Sequence, residues 1–174
     1  MVHYRRSRTP GGTFFFTVAL NDRRADTLVR HVDALRSAIR HVRVRSPFRI
    51  DAMVVLPDHL HAIWTLPSGD ADYSGRWRAI KAGFVRRLRA GNVALTANAK
   101  GEFAVWQRRF WEHRIRDESD LARHVDYVHI NPLKHGLVER VVDWPWSTFH
   151  RYVRVGNLSA DWASDPGVEG KFGE

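Results

Sequence analysis

The chain has 174 residues, the length of one domain with a sizeable core, and 28 lysines and arginines against 19 acidic residues give a net charge of +9. Hydrophobic residues make up 44% and aromatic residues 11% of the sequence, which excludes a disordered chain. The absence of cysteine excludes disulfides, zinc–thiolate sites and thiol catalysis, while the positive charge favours a polyanionic partner, nucleic acid first.

Hydrophobic periodicity predicts an alternating order of strands and helices. The first strand is indicated by an aromatic and β-branched run, and Pro57-Asp58 between two strand-like runs indicates a β-hairpin. The predicted elements are a strand at 13–20, a helix at 25–44, strands at 48–56 and 59–64, a helix at 74–90, a strand at 105–115 and a helix from 117 to 131.

The two later helices have distinct signals. The helix at 74–90 carries an apolar face and several basic residues, and the stretch 91–103 after it has no period and predicts a loop. Acidic residues at 117–120 favour the start of the last helix, because they complement its dipole. Asn131-Pro132 predicts its end, since the residue before a proline resists the helical conformation.

This order of elements predicts an α+β fold, a ferredoxin-like sandwich with an antiparallel sheet and helices on one face. We expect one catalytic domain over 1–155 and a loosely ordered tail over 156–174, which is rich in Gly, Asp and Ser. No apolar run approaches the ~20 residues of a membrane span, and no signal-peptide core follows the N-terminus, so we expect a cytoplasmic protein without a membrane partner.

The sequence His59-Leu60-His61 is the first candidate for chemistry. Side chains alternate between the faces of a strand, so both imidazoles point to one face and could bind one metal ion. The competing interpretation is a pair of half-exposed strand histidines without a ligand.

Tyr127 and Asn131 form the second candidate, because residues four apart share a helix face. A tyrosine can be a nucleophile, and an asparagine oxygen can be a third metal ligand beside two imidazoles. Alternatively, the tyrosine packs at the edge of the core and the asparagine caps the helix before Pro132.

Taken together, several ordered segments resemble the IS200-type single-tyrosine transposases with a His-hydrophobe-His (HUH) signature, and most nearly their REP-associated branch. The resemblance runs from about Tyr4 to Tyr152, with PDHLH at 57–61 and YVHINP at 127–132 as its main motifs. The matching segments are YRRSRTPGGTFFFTV, MVVLPDHLHAIW, RWRAIKAGF, WQRRFWEHRIRDESD, YVHINPLKHGLV and WPWSTFHRY.

The resemblance implies a Mg²⁺ or Mn²⁺ ion bound by His59, His61 and Asn131, with Tyr127 as the nucleophile. It further implies cleavage and rejoining of single-stranded DNA next to hairpin repeats through a 5′-phosphotyrosine, without a small-molecule cofactor. The resemblance to insertion-sequence members implies a dimer, and those members often carry Gln at the third-ligand position. The resemblance to the REP-associated branch implies a monomer. Both a monomer and a homodimer therefore stay open.

Basic residues form three groups that could bind DNA, although each could also be an ordinary solvated surface. They are an N-terminal arm of Arg5, Arg6 and Arg8, a helix with Arg78, Lys81, Arg86, Arg87 and Arg89, and residues Arg108, Arg109, Arg114 and Arg116 around the predicted fourth strand. Aromatic residues such as Trp106, Trp111 and Trp146 could stack on unpaired bases, but tryptophan at strand spacing is more often core.

A catalytically silent, sequence-specific DNA-binding regulator on the same fold is the alternative function. The joint presence of two histidines, a tyrosine and an asparagine in the family pattern favours the enzyme. A hydrolase with two metal ions is disfavoured, because no carboxylate cluster accompanies the histidine pair.

Overall fold

The computed structural model describes residues 8–97, 101 and 103–163. The strands are β1 (Thr13–Ala19), β2 (Arg49–Val55), β3 (His59–Thr65) and β4 (Trp111–Arg114), and the helices are α1 (Thr27–Arg30), α2 (Val32–Arg45), α3 (Tyr73–Ala90), α4 (Glu118–Lys134) and α5 (Phe149–Arg154), with a short 3₁₀ turn at Val141–Asp143. The strands form one sheet in the order β2-β3-β1-β4, and every neighbouring pair is antiparallel.

The sheet is buried on both faces, and each face has its own apolar cluster. Along β1, Phe14, Phe16 and Val18 pack with residues of α2 and α3, and Trp64 of β3 stacks on Trp77 of α3 with ring centroids 4.1 Å apart. Phe15 points to the opposite face, where it joins a second cluster with residues of α4 and of the C-terminal segment.

The predicted α+β class, the antiparallel ferredoxin-like sheet and the hairpin of β2 and β3 are confirmed. The expectation that the helices lie on one face is wrong for α4, which packs on the face opposite α2 and α3 through Val125 and Val128. The reason lies in β3, whose first six residues are all buried, so that both faces of the sheet need a cover.

Three element boundaries differ from the predictions. The first helix is interrupted at His31, whose φ of −117° and ψ of 35° are not helical. The fourth strand is only Trp111–Arg114, because the chain before it meets the end of β1 through an isolated bridge between Leu20 and Trp106. Pro132 lies inside α4, and the helix ends at Lys134 because Gly136 adopts a φ of 65° and the Leu137 N–H donates to the Pro132 carbonyl.

The C-terminal segment covers the outer edge of β2. The Val55 N–H donates to the Trp146 carbonyl over 2.9 Å, and the Trp144 Nε1–H donates to the Val55 carbonyl over 2.9 Å. The Thr148 N–H donates to the Met53 carbonyl over 2.8 Å. These bonds pair backbone groups that an edge strand would otherwise leave open.

Beyond α5, Trp162 packs on Phe149 with ring centroids 5.9 Å apart. Residues 164–174, the larger part of the predicted tail, lie outside the described residues, and the division at 155 stays a prediction. None of the described helices combines the length and apolar character that crossing a bilayer requires.

Candidate active site

The candidate site contains a pair of histidines on the face of the sheet that α4 covers. His59 and His61 project to the same face of β3, as the strand period predicts, and their ring centroids are 5.0 Å apart. They are 5% and 4% exposed, so the interpretation as half-exposed strand histidines is wrong.

Hydrogen bonds orient both imidazoles. The Nδ1–H of His59 donates to Asp58 Oδ1 over 2.8 Å, and Asp58 Oδ2 in turn accepts from Arg23 Nε over 2.7 Å. A hydrogen bond of 2.9 Å joins His61 Nδ1 to Thr17 Oγ1. Because each Nδ1 is engaged, Nε2 is the nitrogen of each ring that can bind a cation.

Burial keeps both imidazoles neutral at physiological pH. It lowers the pKa of His59, and together with the nearby His59 and His135 it lowers the pKa of His61 to about 3. The amide of Asn131 faces His61 and opposes this effect, without a hydrogen bond of ordinary length between them. Neutral imidazoles have the free lone pairs that a metal ligand needs.

Helix α4 brings Tyr127 and Asn131 to the same place. The Tyr127 ring meets the His61 ring nearly edge-on at a centroid distance of 5.2 Å. Asn131 is fully buried, and its Nδ2 donates to the Tyr127 carbonyl over 3.1 Å. Both residues lie within the helix, so Asn131 does not cap its end.

The side-chain oxygen of Asn131 is chemically suited to bind a cation. Among the residues that the structure describes, none donates a hydrogen bond to Asn131 Oδ1, although this atom is buried. A buried, unsatisfied oxygen is unfavourable unless something else binds it. One amide oxygen and two neutral imidazole nitrogens are a donor set that fits a divalent cation.

A cleft of about 740 Å³ lies between the sheet and α4, and its lining runs along the helix from Asp120 to His135. Tyr127 and both histidines line it, and three arginines line its other parts. These arginines are Arg23, Arg116 and Arg123. An anionic strand could therefore lie in the cleft with its phosphates facing positive charge.

Asp120 fixes two of these arginines. Its buried carboxylate accepts from His113 Nε2 over 2.9 Å, from Arg116 Nε over 3.1 Å and from Arg123 over 3.4 Å. Burial raises the pKa of Asp120, but the hydrogen bonds from His113 and Arg116 lower it by more, so the carboxyl stays ionised.

His113, Asp120 and His124 also lie close enough to hold a metal ion, with candidate ligand atoms within 4.8 Å of one another. However, the carboxylate of Asp120 already has guanidinium and imidazole partners. A cation there would face two arginines, so we favour the site at His59, His61 and Asn131.

The predicted DNA-binding residues are spread over the molecule. Arg5 and Arg6 lie outside the described residues, while Arg8, Arg78, Arg86, Arg108 and Arg109 are exposed. The basic residues of α3 belong to the layer across the sheet from the cleft. Two of them have internal partners, since Lys81 Nζ donates to the Gln107 carbonyl and Arg87 donates to the Gly83 carbonyl.

Sequence reasoning missed two cations of the cleft. Arg123 lies four residues before Tyr127 and therefore on the same helix face, a signal that was present in the spacing. Arg23 has no such signal, because it enters the cleft through the contact between the end of β1 and the hairpin turn at Asp58.

Comparisons with known proteins identify two relatives over nearly the whole chain. The chain is 50% identical over 165 residues to the REP-associated tyrosine transposase of Escherichia coli K12, covering 95% of this chain and 93% of the relative. It is 42% identical to a Haemophilus influenzae protein assigned to the same group, covering 97% of each. No protein-family profile matches the sequence.

Among solved structures, a REP-associated tyrosine transposase bound to a REP hairpin matches with a TM-score of 0.84 and 49% identity. That match covers 100% of this chain and 98% of the other. A Deinococcus radiodurans structure, 16% identical with a TM-score of 0.50 over 73% of this chain, shares the fold alone.

Proposed function

The chain belongs to the REP-associated tyrosine transposases, and on that premise we propose that it cleaves and rejoins single-stranded DNA beside hairpin repeats through Tyr127. The observation that carries the proposal is the position of Tyr127. Its ring centroid lies 5.2 Å from that of His61, and Asn131, one helical turn later, has a buried side-chain oxygen without a hydrogen-bond donor among the described residues. A regulator that only bound DNA would have no use for such a site.

His59, His61 and Asn131 are the residues that would hold Mg²⁺ or Mn²⁺. When bound, such an ion neutralises charge on the phosphodiester and helps to orient the attack on it. Two nitrogen ligands and one oxygen ligand suit Mn²⁺ better than Mg²⁺, which prefers oxygen. Thr17 and Asp58 hold the imidazoles in the orientation that this role requires.

In the proposed reaction, the phenolic oxygen of Tyr127 attacks phosphorus as its proton leaves. The bond from phosphorus to the 3′ oxygen breaks, and that oxygen takes up a proton to become a free 3′-hydroxyl. The 5′ phosphate stays on Tyr127 as a phosphotyrosine. A 3′-hydroxyl of another strand reverses the step and rejoins the DNA, so no nucleotide cofactor is needed.

Two sets of basic residues would bind different parts of the DNA. Arg23, Arg116 and Arg123 line the cleft, and we assign the single strand to them. We assign the hairpin to the basic residues that the sequence predicts to bind DNA. They are Arg5, Arg6, Arg8, Arg78, Lys81, Arg86, Arg87, Arg108 and Arg109. Binding should weaken steeply with salt, because phosphate contacts release counterions.

The test is a covalent adduct. Protein, Mn²⁺ and a labelled single-stranded oligonucleotide with a repeat hairpin should give a labelled protein band on a denaturing gel. Tyr127→Phe should give none, whereas the control Tyr152→Phe should keep it, since the Tyr152 hydroxyl donates to the Asp51 carbonyl at the sheet edge. An equal adduct from Tyr127→Phe would contradict the assignment.

The metal role is tested separately. His59→Ala should abolish cleavage while hairpin binding, measured by gel shift, persists. Unchanged cleavage by this variant would remove the metal site from the proposal.

A further inference from the structure

Trp111 is a large apolar side chain that the fold leaves open at the cleft. It is 52% exposed and lines the same cleft as Tyr127 and the two histidines. The other exposed large apolar residues among those described lie on different elements, namely Val44, Leu137 and Val155. Trp111 is therefore not part of a broad apolar patch on its strand, such as a protein partner would cover.

The sheet register puts Trp111 in one row with the candidate metal ligands. Thr17 of β1 pairs with His61 of β3 on one side and with Trp111 of β4 on the other. Paired residues point to the same face, and strands are about 4.8 Å apart, so the backbones of Trp111 and His61 are about 10 Å apart. A strand with its phosphate at His61 would pass next to Trp111.

Two neighbouring rings contact the indole of Trp111. Its plane lies 8° from that of His113 with ring centroids 6.1 Å apart, and it meets the Phe15 ring edge-on at 5.6 Å. His113 stacks in turn on His124 at 4.6 Å, and Asp120 fixes His113 by a hydrogen bond of 2.9 Å. The tryptophan is thus oriented in advance while half of its surface stays open.

Positive charge accompanies this stack. Arg116 and Arg123 are bound to Asp120 at the cleft, yet their side chains are 66% and 57% exposed. An exposed aromatic plane beside fixed guanidinium groups is the arrangement that binds a base by stacking and its phosphate by charge.

We propose that an unpaired nucleobase next to the scissile phosphodiester stacks on Trp111, with Arg116 and Arg123 on the adjoining phosphate. This inference rests on the proposed function, because it takes the cleft as the path of the single strand. It makes Trp111 a positioning residue, which selects where the strand is cut without touching the reacting atoms.

The experiment uses hairpin oligonucleotides in which single abasic sites replace, one at a time, the unpaired bases on both sides of the cleavage position. Dissociation constants are measured by fluorescence anisotropy. For the natural chain, one abasic position should weaken binding by about 5- to 100-fold, the loss of one stacked base. Trp111→Leu should show that loss already with intact DNA, and no further loss with the abasic site.

Two variants serve as controls. Trp111→Phe keeps an aromatic plane and should retain most of the affinity and the abasic sensitivity. Val155→Ala removes an exposed apolar side chain elsewhere and should bind like the natural chain. Thermal unfolding of each variant checks that the fold is intact.

The inference fails if Trp111→Leu keeps the full response to every abasic site, or if it binds intact DNA as tightly as the natural chain. A Trp111→Leu variant that binds DNA normally but no longer associates with a second protein would instead assign the surface to a protein partner. The adduct assay separates these outcomes from the proposed function. If the natural chain forms the phosphotyrosine adduct and Trp111→Leu binds every oligonucleotide as the natural chain does, only the stacking role is refuted. The proposed function then stands.

Discussion

Replacing Asn131 by leucine should separate metal binding from stability. The two side chains branch at the same atom, and the residue is fully buried. In metal-free protein, the unsatisfied Oδ1 is unfavourable by about 1–3 kcal/mol. Leucine removes that oxygen, but it also removes the hydrogen bond from Nδ2 to the Tyr127 carbonyl, worth about 1 kcal/mol.

The net expectation is that Asn131→Leu is more stable than the natural chain by about 0 to 2 kcal/mol in EDTA. Mn²⁺ should reverse the order. At a hundred times its dissociation constant, an ion stabilises the natural chain by about 2.7 kcal/mol, whereas the leucine variant lacks a ligand and should respond little. Asn131→Asp keeps an oxygen ligand and should keep the response to the ion.

The measurement is urea unfolding of the three proteins with EDTA and with saturating Mn²⁺. Each kcal/mol corresponds to a change of about 2–4 °C in Tm for a chain of this size, so thermal scans give an independent check. The reasoning is refuted if Asn131→Leu is clearly less stable in EDTA and still gains the full stabilisation from Mn²⁺. Asn131 would then be an ordinary core residue.

Three further predictions concern the buried polar groups. Burial holds the pKa of His61 at about 3 and that of His129 at about 4, below the unfolded value of 6.5, so stability should be complete above pH 6.5 and fall as the pH drops toward 4. The free energy of unfolding should then change by up to about 2.7 kcal/mol per pH unit, the value for the uptake of two protons. A free energy of unfolding that stays constant over this pH range, measured with urea, would contradict the prediction. Asp58→Asn should weaken Mn²⁺ binding by about 10- to 100-fold in calorimetry, because the carboxylate orients the imidazole of His59, a proposed metal ligand. Unchanged affinity would count against that role. Asp120→Asn should lower the free energy of unfolding by about 1–3 kcal/mol, because it removes charged hydrogen bonds. The control Asp126→Asn on the same helix should not destabilise the protein, because burial raises the pKa of the Asp126 carboxyl and thus disfavours its charged form. Equal effects of the two substitutions on the free energy of unfolding would contradict this reasoning.

The local sequence pattern was sufficient to predict which residues of the candidate site share a face of a strand or helix. The alternation along β3 places His59 and His61 on one face, and the helical spacing places Tyr127 and Asn131 together. Neither pattern says that the two pairs meet. That depends on which face of the sheet α4 covers, a matter of long-range packing that the sequence of elements alone left wrong.

The other misses have the same origin. Asp120 looked like a helix-start residue, and its buried contacts with His113 and Arg116 exist only because β4 runs beside the start of α4. Pro132 indicated a helix end by local preference, yet α4 continues past it to Lys134, and both Asn131 and Pro132 are buried within the helix. Residues whose role depends on neighbours distant in sequence give no periodic signal.

The covering of β2 by the C-terminal segment has a consequence for synthesis. Trp144 and Thr148 pair with Val55 and Met53, residues 89 and 95 positions earlier in the chain. Thr148 also hydrogen-bonds His129 of the helix that carries Tyr127. A nascent chain therefore cannot form these contacts until residue 148 has left the ribosome. Products that end before this residue would lack the hydrogen bonds that cover the edge of β2 and join the C-terminal segment to α4.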